Sequence, residues 1–226
     1  MIIVIFIAVF FIFLYFSYSF FNGNPLSKYL FKKIVQEYLE LKYNEDFTVT
    51  VRYSFKLSTR KQAYYYAIVK GNASKLPEFK AYRDAANNKV SDNLYWELWN
   101  EQITIGIKNI LDKHYDNENF MIENYIPNAP SSEKIAISDI PTYEEYAISV
   151  PQNKRTDIII SIHSNSEIVD SATIYSIIKD IVDNRIYFNQ LRFDFMKNNF
   201  EVESSIGLKW DEAVNMDNLS VQGRNK

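Results

Sequence analysis

Two histidines and no cysteine in 226 residues leave few side chains able to do covalent or metal chemistry. Thiol nucleophiles, disulfides, lipid-modified cysteines and Cys/His zinc clusters are excluded at once. His114 ends a helical stretch beside Lys113 and Asp116, where an imidazolium complements the helix dipole. His163 follows the apolar run Ile158 to Ile162, with Ser161, Ser164 and Glu167 near it in sequence, the residue types of a Ser/His/acid set. The G-x-S-x-G turn that presents a strained nucleophile is missing. Glu144-Glu145 and the Asp180/Asp183 pair are the carboxylates that acid–base chemistry or glycoside hydrolysis would need. Adjacent side chains diverge, and helix-surface carboxylates are ordinarily solvated. No Asp-rich glycine loop of the calcium-binding kind is present, and five glycines form no phosphate-cradling run. The sequence therefore assigns no catalytic, cofactor or metal residue.

Aromatic side chains are the remaining abundance, with 17 Tyr and 16 Phe. Tyr64-Tyr65-Tyr66 puts rings on both faces of one strand, so one set is either packed beneath helices or free to meet a sugar, a peptide strand or the lipid interface. Trp96 and Trp99 read as core.

The elements that must position these residues begin with a membrane segment. Met1 to Phe21 is almost wholly Ile, Val, Phe, Leu and Tyr, and the first charge is Lys28. As a helix it spans about 31 Å, close to the roughly 30 Å of bilayer hydrocarbon. Tyr15 and Tyr18 suit the interfacial belt, and Asn22-Gly23-Asn24-Pro25 ends the run. A cleaved secretory signal is the rival reading, since Ser17-Tyr18-Ser19 has the small-residue spacing of a peptidase site. Against it stand the length of the apolar run and the lack of a preceding Lys or Arg.

Charge divides the rest of the chain. Residues 28–83 carry 12 Lys and Arg against 5 Asp and Glu, a net +7, whereas residues 84–226 carry 13 against 23, a net −10. Lys28, Lys32 and Lys33 sit next to the apolar segment and are the candidate contacts to anionic headgroups, each nearby cation contributing about 1 kcal/mol. Taken alone, these charges favour an inside position for the folded part, although long domains translocate despite them.

Periodicity organises the remainder. Asn24 caps and Pro25 starts a helix whose apolar positions Leu26, Leu30, Ile34, Tyr38 and Leu41 form the expected buried stripe, ending near Lys42 or Tyr43. Phe47 to Phe55 alternates as a strand and pairs with Gln62 to Lys70 through a turn at Ser58 to Arg60. Phe79 to Tyr82 adds a strand, Asp84 to Asp92 is polar, and Leu94 to His114 repeats as a helix. Beyond Asp116 come an irregular strand, a turn cluster at Pro127 to Ser132, and a weak strand at Lys134 to Ile137. A helical turn at Pro141 to Tyr146 is next, then strands at Ala147 to Val150 and Asp157 to His163, and a helix over Ile168 to Val182. A hairpin with arms around Leu191 to Phe195 and Phe200 to Leu208 turns at Asn198-Asn199. The expected class is α+β: a transmembrane helix at 1–21, a proximal helix-plus-antiparallel-sheet domain at 24–115, a distal one at 116–210, and a polar tail at 211–226.

The apolar helix, then Gly23-Asn24-Pro25-Leu26-Ser27-Lys28-Tyr29-Leu30, a Lys-rich helix, Tyr38-Leu39-Glu40 and a Tyr-rich hairpin resemble the YfjL-like proteins of Gram-positive bacteria. Over residues 1 to about 70 the chain is also similar to short membrane proteins grouped under a domain of unknown function. The resemblance implies a membrane-attached envelope protein of small α+β domains, similar to a PepSY or cystatin-like arrangement, with its soluble part outside the cell membrane. It supplies no catalytic residue and no cofactor.

Two functional classes are compatible with these features. One is a non-enzymatic, single-pass envelope module whose partners are the lipid bilayer and an envelope protein or polymer. The other is a secreted or tethered hydrolase or regulatory enzyme built from dispersed carboxylates, which a deep pocket with converging polar groups would mark. Nucleic acid is excluded as a partner by the acidic balance and the apolar segment.

Overall fold

The computed structural model describes residues 2–55, 63–71, 76–83, 89–115, 120–126, 134–163, 171–196 and 202–216. The chain forms two compact units, Met1–Glu97 with Pro130–Ile140, and Leu98–Ala129 with Pro141–Lys226. The expected boundary at 115/116 thus moves to within a helix, after Glu97. Trp99 is the reason: its ring stacks on Tyr146 at 4.3 Å and its indole N–H donates to the Pro141 carbonyl at 2.8 Å.

The first unit opens with α1 (Ile2–Asn22) and α2 (Pro25–Tyr43). Four strands come after them, β1 (Phe47–Phe55), β2 (Ala63–Gly71), β3 (Phe79–Arg83) and β4 (Val90–Asp92), paired in that order and antiparallel throughout. The β1–β2 register sets Val49 opposite Val69 and Tyr53 opposite Tyr65. The turn expected between them at Ser58 to Arg60 lies outside the described residues. β4 was not expected, since Val90-Ser91-Asp92 is too short and polar to carry an alternation signal.

The buried side of α2 differs from the expected stripe. Phe31, Val35, Leu39, Lys42 and Tyr43 are buried, whereas Leu26, Leu30 and Leu41 are exposed. Both sets recur every three or four residues, so spacing alone could not choose between them. The larger payload, two aromatic rings with Val and Leu, went inward, with Phe31 meeting Tyr65 and Tyr43 meeting Phe47. Asn44 closes the helix in the left-handed region, its N–H bonded to the Glu40 carbonyl.

The second unit takes most of α3 (Leu94–Leu111), then β5 (Phe120–Tyr125), α4 (Tyr143–Ser149), β6 (Asp157–His163), α5 (Ser171–Asp183), β7 (Gln190–Met196), β8 (Val202–Lys209) and α6 (Trp210–Val214). Its strands pair in the order β5-β6-β7-β8. The α+β class holds, but the expectation of an antiparallel sheet is corrected for one pair. β6 and β7 run parallel, because α5 connects them and a crossover returns the chain in the same direction. Ile158, Ile160, Ile162, Leu191 and Phe193 of this sheet are buried, as are Ile174, Ile177, Ile178 and Ile181 along one face of α5.

Three shorter expectations change. Lys134 to Ile137 is not a strand but leads into a 3-10 turn at Ile137–Asp139. Ala147 to Val150 is not a strand, since α4 runs through Ser149 behind a capping box of Thr142 and Glu145. The tail expected from 211 begins as α6, with Ala213 buried; residues 217–226, like the turns at Pro127 to Ser132 and Asn198-Asn199, lie outside the described residues.

Leu39→Ala is expected to lower unfolding free energy by about 2 to 5 kcal/mol, and Leu41→Ala by no more than about 0.5 kcal/mol. Denaturant titration of the detergent-solubilised protein measures both, and equal losses would contradict the assigned face.

Candidate functional site

The point where α1 gives way to α2 is tightly built. Gly23 donates its N–H to the Ser19 carbonyl at 2.9 Å and adopts φ +79°, a left-handed value that glycine accepts without strain. A Cβ there would stand 2.8 Å from two Tyr53 ring carbons and 2.9 Å from Tyr65. Asn24 then caps α2, its side-chain oxygen accepting from the N–H groups of Leu26 and Ser27, while its own N–H donates to the Tyr65 hydroxyl at 2.9 Å. The Tyr53 and Tyr65 rings lie 5.2 Å apart. The end of the apolar helix is therefore seated on the sheet without a slack linker.

The three candidate lysines do not share one face. Lys33 is exposed and pairs weakly with Glu37 at 3.9 Å, and Lys32 is exposed on the flank. Lys28 is half-buried, seven residues before Val35 and so on the packed side.

At the other end of α2 a polar cluster is closed rather than open. Lys42 Nζ donates to Asp92 Oδ2 at 2.7 Å, with side chains 4% and 0% exposed. Tyr38 donates to the same oxygen at 2.7 Å, and Tyr43 and the Leu94 N–H donate to Oδ1 at 2.8 and 3.1 Å. Four donors occupy the acceptor capacity of one carboxylate. Burial, then the Asp92 charge and its hydrogen bonds, pushes both phenols well above the usual tyrosine range. A carboxylate so enclosed has no free edge for substrate.

The outer face of the first sheet is aromatic and basic. Tyr64 and Tyr66 lie 6.0 Å apart, Tyr66 pairs in register with Tyr82 and Arg52, and Lys80 pairs with Ile68. Tyr64 and Tyr82 are exposed, so the ring set left unassigned by the sequence is on the open side. Tyr65 faces inward with Ala67 and Val69.

In the second unit an open cavity of about 350 Å³ is lined by α3 residues including Asn109, by Lys113 just beyond the helix, and by Glu144 and Arg185. Its charges are paired: Arg185 with Glu144 at 3.4 Å, Lys113 with Asp180 at 3.7 Å. Glu145 is turned to its own helix, held below the usual carboxylate range by the Thr142 N–H and then the Thr142 hydroxyl. His114 Nε2 is buried 3.8 Å from Asp180. Ser161 and His163 share one side of β6, and the buried Asp194 opposite Ser161 is engaged by Arg192 Nε and Nη2 at 3.1 and 2.9 Å. Ser164 and Glu167 lie outside the described residues. Among the described residues no three His, Asp or Glu side chains gather in metal-binding geometry.

Because folded Tyr43 keeps its proton beyond the point at which unfolded tyrosine ionises, about pH 10, its contribution is complete below that pH and is lost as pH rises above it. Tyr43→Phe is expected to lower stability at neutral pH yet flatten the alkaline decline by about 1.4 kcal/mol in total between pH 9 and 11. Denaturant melts between about pH 9 and 11 read the slope, and an unchanged slope would contradict the assignment.

Comparison with known proteins gives three findings. Residues 1–93 match the family model of the YfjL-like N-terminal domain. A crystal structure of a DUF5037 family protein from Ruminococcus gnavus ATCC 29149 aligns over 75% of this chain and 76% of that one, at 15% identity and a TM-score of 0.45. No curated protein matches. Over its first 93 residues, through the whole first sheet, the chain is thus similar to the N-terminal domain of the uncharacterised YfjL-like family.

Proposed function

We propose that the protein is a single-pass, membrane-anchored module of the cell envelope whose folded part binds rather than catalyses. The observation that carries the reading is α1. From Ile5 to Asn22 its mean hydropathy is 2.0 and none of that window is buried in the fold. A core helix would be covered by its own protein, so an uncovered apolar helix of this length calls for lipid. The same length and composition suit a signal sequence, and the build of the junction favours the anchor. Tyr53, Tyr65 and Asn24 are arranged around Gly23 as part of the folded unit, which supports retention of the segment that Gly23 terminates.

The binding role is supported by where the polar groups go. Asp92 is enclosed by four donors, Glu145 caps a helix, and the cavity charges are paired, whereas the aromatic and basic face of the first sheet is open. Such a face suits an envelope protein or polymer, since tyrosine combines apolar area with a polar tip. We place the folded part on the extracytoplasmic side, as the family resemblance implies and as translocation of long domains permits.

Alkaline carbonate extraction followed by intact-mass measurement tests retention. The full 26.6 kDa chain is expected in the membrane pellet. A released, shorter chain beginning near Phe20 would contradict the anchor. Protease added to intact cells is expected to remove the folded part, and protection until permeabilisation would reverse the sidedness.

A further inference from the structure

α2 carries a second apolar face that none of the described residues covers. Leu26, Tyr29 and Leu30 are 64%, 65% and 50% exposed and lie at positions i, i+3 and i+4 of the first two turns. The inward face is a different one, formed by Phe31, Val35 and Leu39, so these three are not core residues in waiting. Continuing along the exposed face, Lys33, Glu37 and Glu40 replace the apolar side chains, and an apolar residue, Leu41, returns only at the far end of the helix. The apolar run next to α1 is thus closed off by charge. Leu26 to Leu30 come after Asn22 by four to eight residues, at most about 6 to 12 Å of helix, and any bend at Gly23 shortens the depth they reach. That is comparable with the interfacial layer of roughly 5 to 8 Å on each side of the hydrocarbon.

We infer that Leu26, Tyr29 and Leu30 bed into the lipid headgroup interface as a second membrane contact, fixing the tilt of the folded unit on the bilayer; this rests on α1 being a retained anchor. Three features favour lipid as the occupant. The face is covalently continuous with the apolar helix. It contains the amphipathic tyrosine and leucines that interfacial helices use. It is bordered by Lys33, with Lys32 on the flank, whose long stems can reach anionic headgroups. Because Gly23 is pinned beneath Tyr53 and Tyr65, the apolar helix and this face cannot reorient independently, so seating one seats the other.

The chain has no cysteine, so single labels can be placed cleanly. Phe13→Cys, Leu26→Cys, Leu30→Cys and Leu41→Cys, all at exposed positions, are made in the full-length protein. Each is labelled with bimane and reconstituted into phosphatidylglycerol/phosphatidylcholine vesicles carrying brominated acyl chains. Position 13 should be quenched by deeply brominated lipid. Positions 26 and 30 should be quenched by shallow bromines at least about twofold more than position 41, which lies on the same helix beyond the interface. Quenching at 13 with 26 and 30 no different from 41 would overturn the second contact and leave the anchor standing. Absence of quenching at 13 would overturn the anchor, and the inference with it.

Discussion

One buried carboxylate constrains the first unit more than any other group. Asp92 lies at the end of β4, directly before α3, and its four donors come from two turns of α2 and from the first turn of α3. Removing a charged pair from water costs several kcal/mol per ion, so the arrangement is stable only while every donor is in place. Consequently α2, the edge strand and the opening turn of α3 are held together by chemistry rather than by apolar area alone. Asn93 extends the same device: it accepts from the Lys80 N–H at 2.6 Å, returns its own N–H to the Lys80 carbonyl at 3.0 Å, and holds Glu97 at 2.9 Å.

Asp92 and Gly23 work at opposite ends of α2. At the start of the helix, a glycine without a side chain lets two tyrosine rings close over the backbone; at its end, Lys42 and Tyr43 are drawn inward to Asp92. Between them Phe31, Val35 and Leu39 fill the space above the sheet. Fixed at both ends, α2 cannot roll, and its other face, with Leu26, Tyr29 and Leu30, stays outward. Lys42, which the sequence marks only as a residue near the end of the helix, is a core residue whose charge sets the helix's rotation.

Much of this was legible in the sequence where periodicity and chemistry agree. The apolar segment, the Asn24-Pro25 start, the β1–β2 hairpin, the β6 strand and the long helix from Leu94 all announce themselves. Legibility failed where two patterns compete or where a signal needs a distant partner. In α2 the stripes through Leu26 and Phe31 have the same spacing, and only the Tyr65 and Phe47 rings decide between them. Asp92 carries no local sign that Lys42 is fifty residues earlier in its shell. Ala147 to Val150 looks extended until Thr142 and Glu145 are seen as a capping box that carries the helix through Ser149. The parallel β6–β7 pair was hidden because two apolar runs separated by a helix state their connection but not their direction. Of the proposed membrane contacts, Lys32 and Lys33 could be read from sequence as exposed, whereas the half-burial of Lys28 depends on which side of α2 meets the sheet.

A double-mutant cycle on Lys42 and Asp92 tests most directly whether their pairing fixes α2. Lys42→Met and Asp92→Leu, each alone, strand a buried charge or leave donors unpaired, and each should cost about 3 to 5 kcal/mol. The loss of the Tyr38, Tyr43 and Leu94 hydrogen bonds is common to Asp92→Leu and to the double variant, so it cancels in the cycle. The account predicts that the double variant is less destabilised than the sum of the singles, with a coupling on the order of 2 to 3 kcal/mol. Additive losses would show that the Lys42–Asp92 pair does not hold α2 in place.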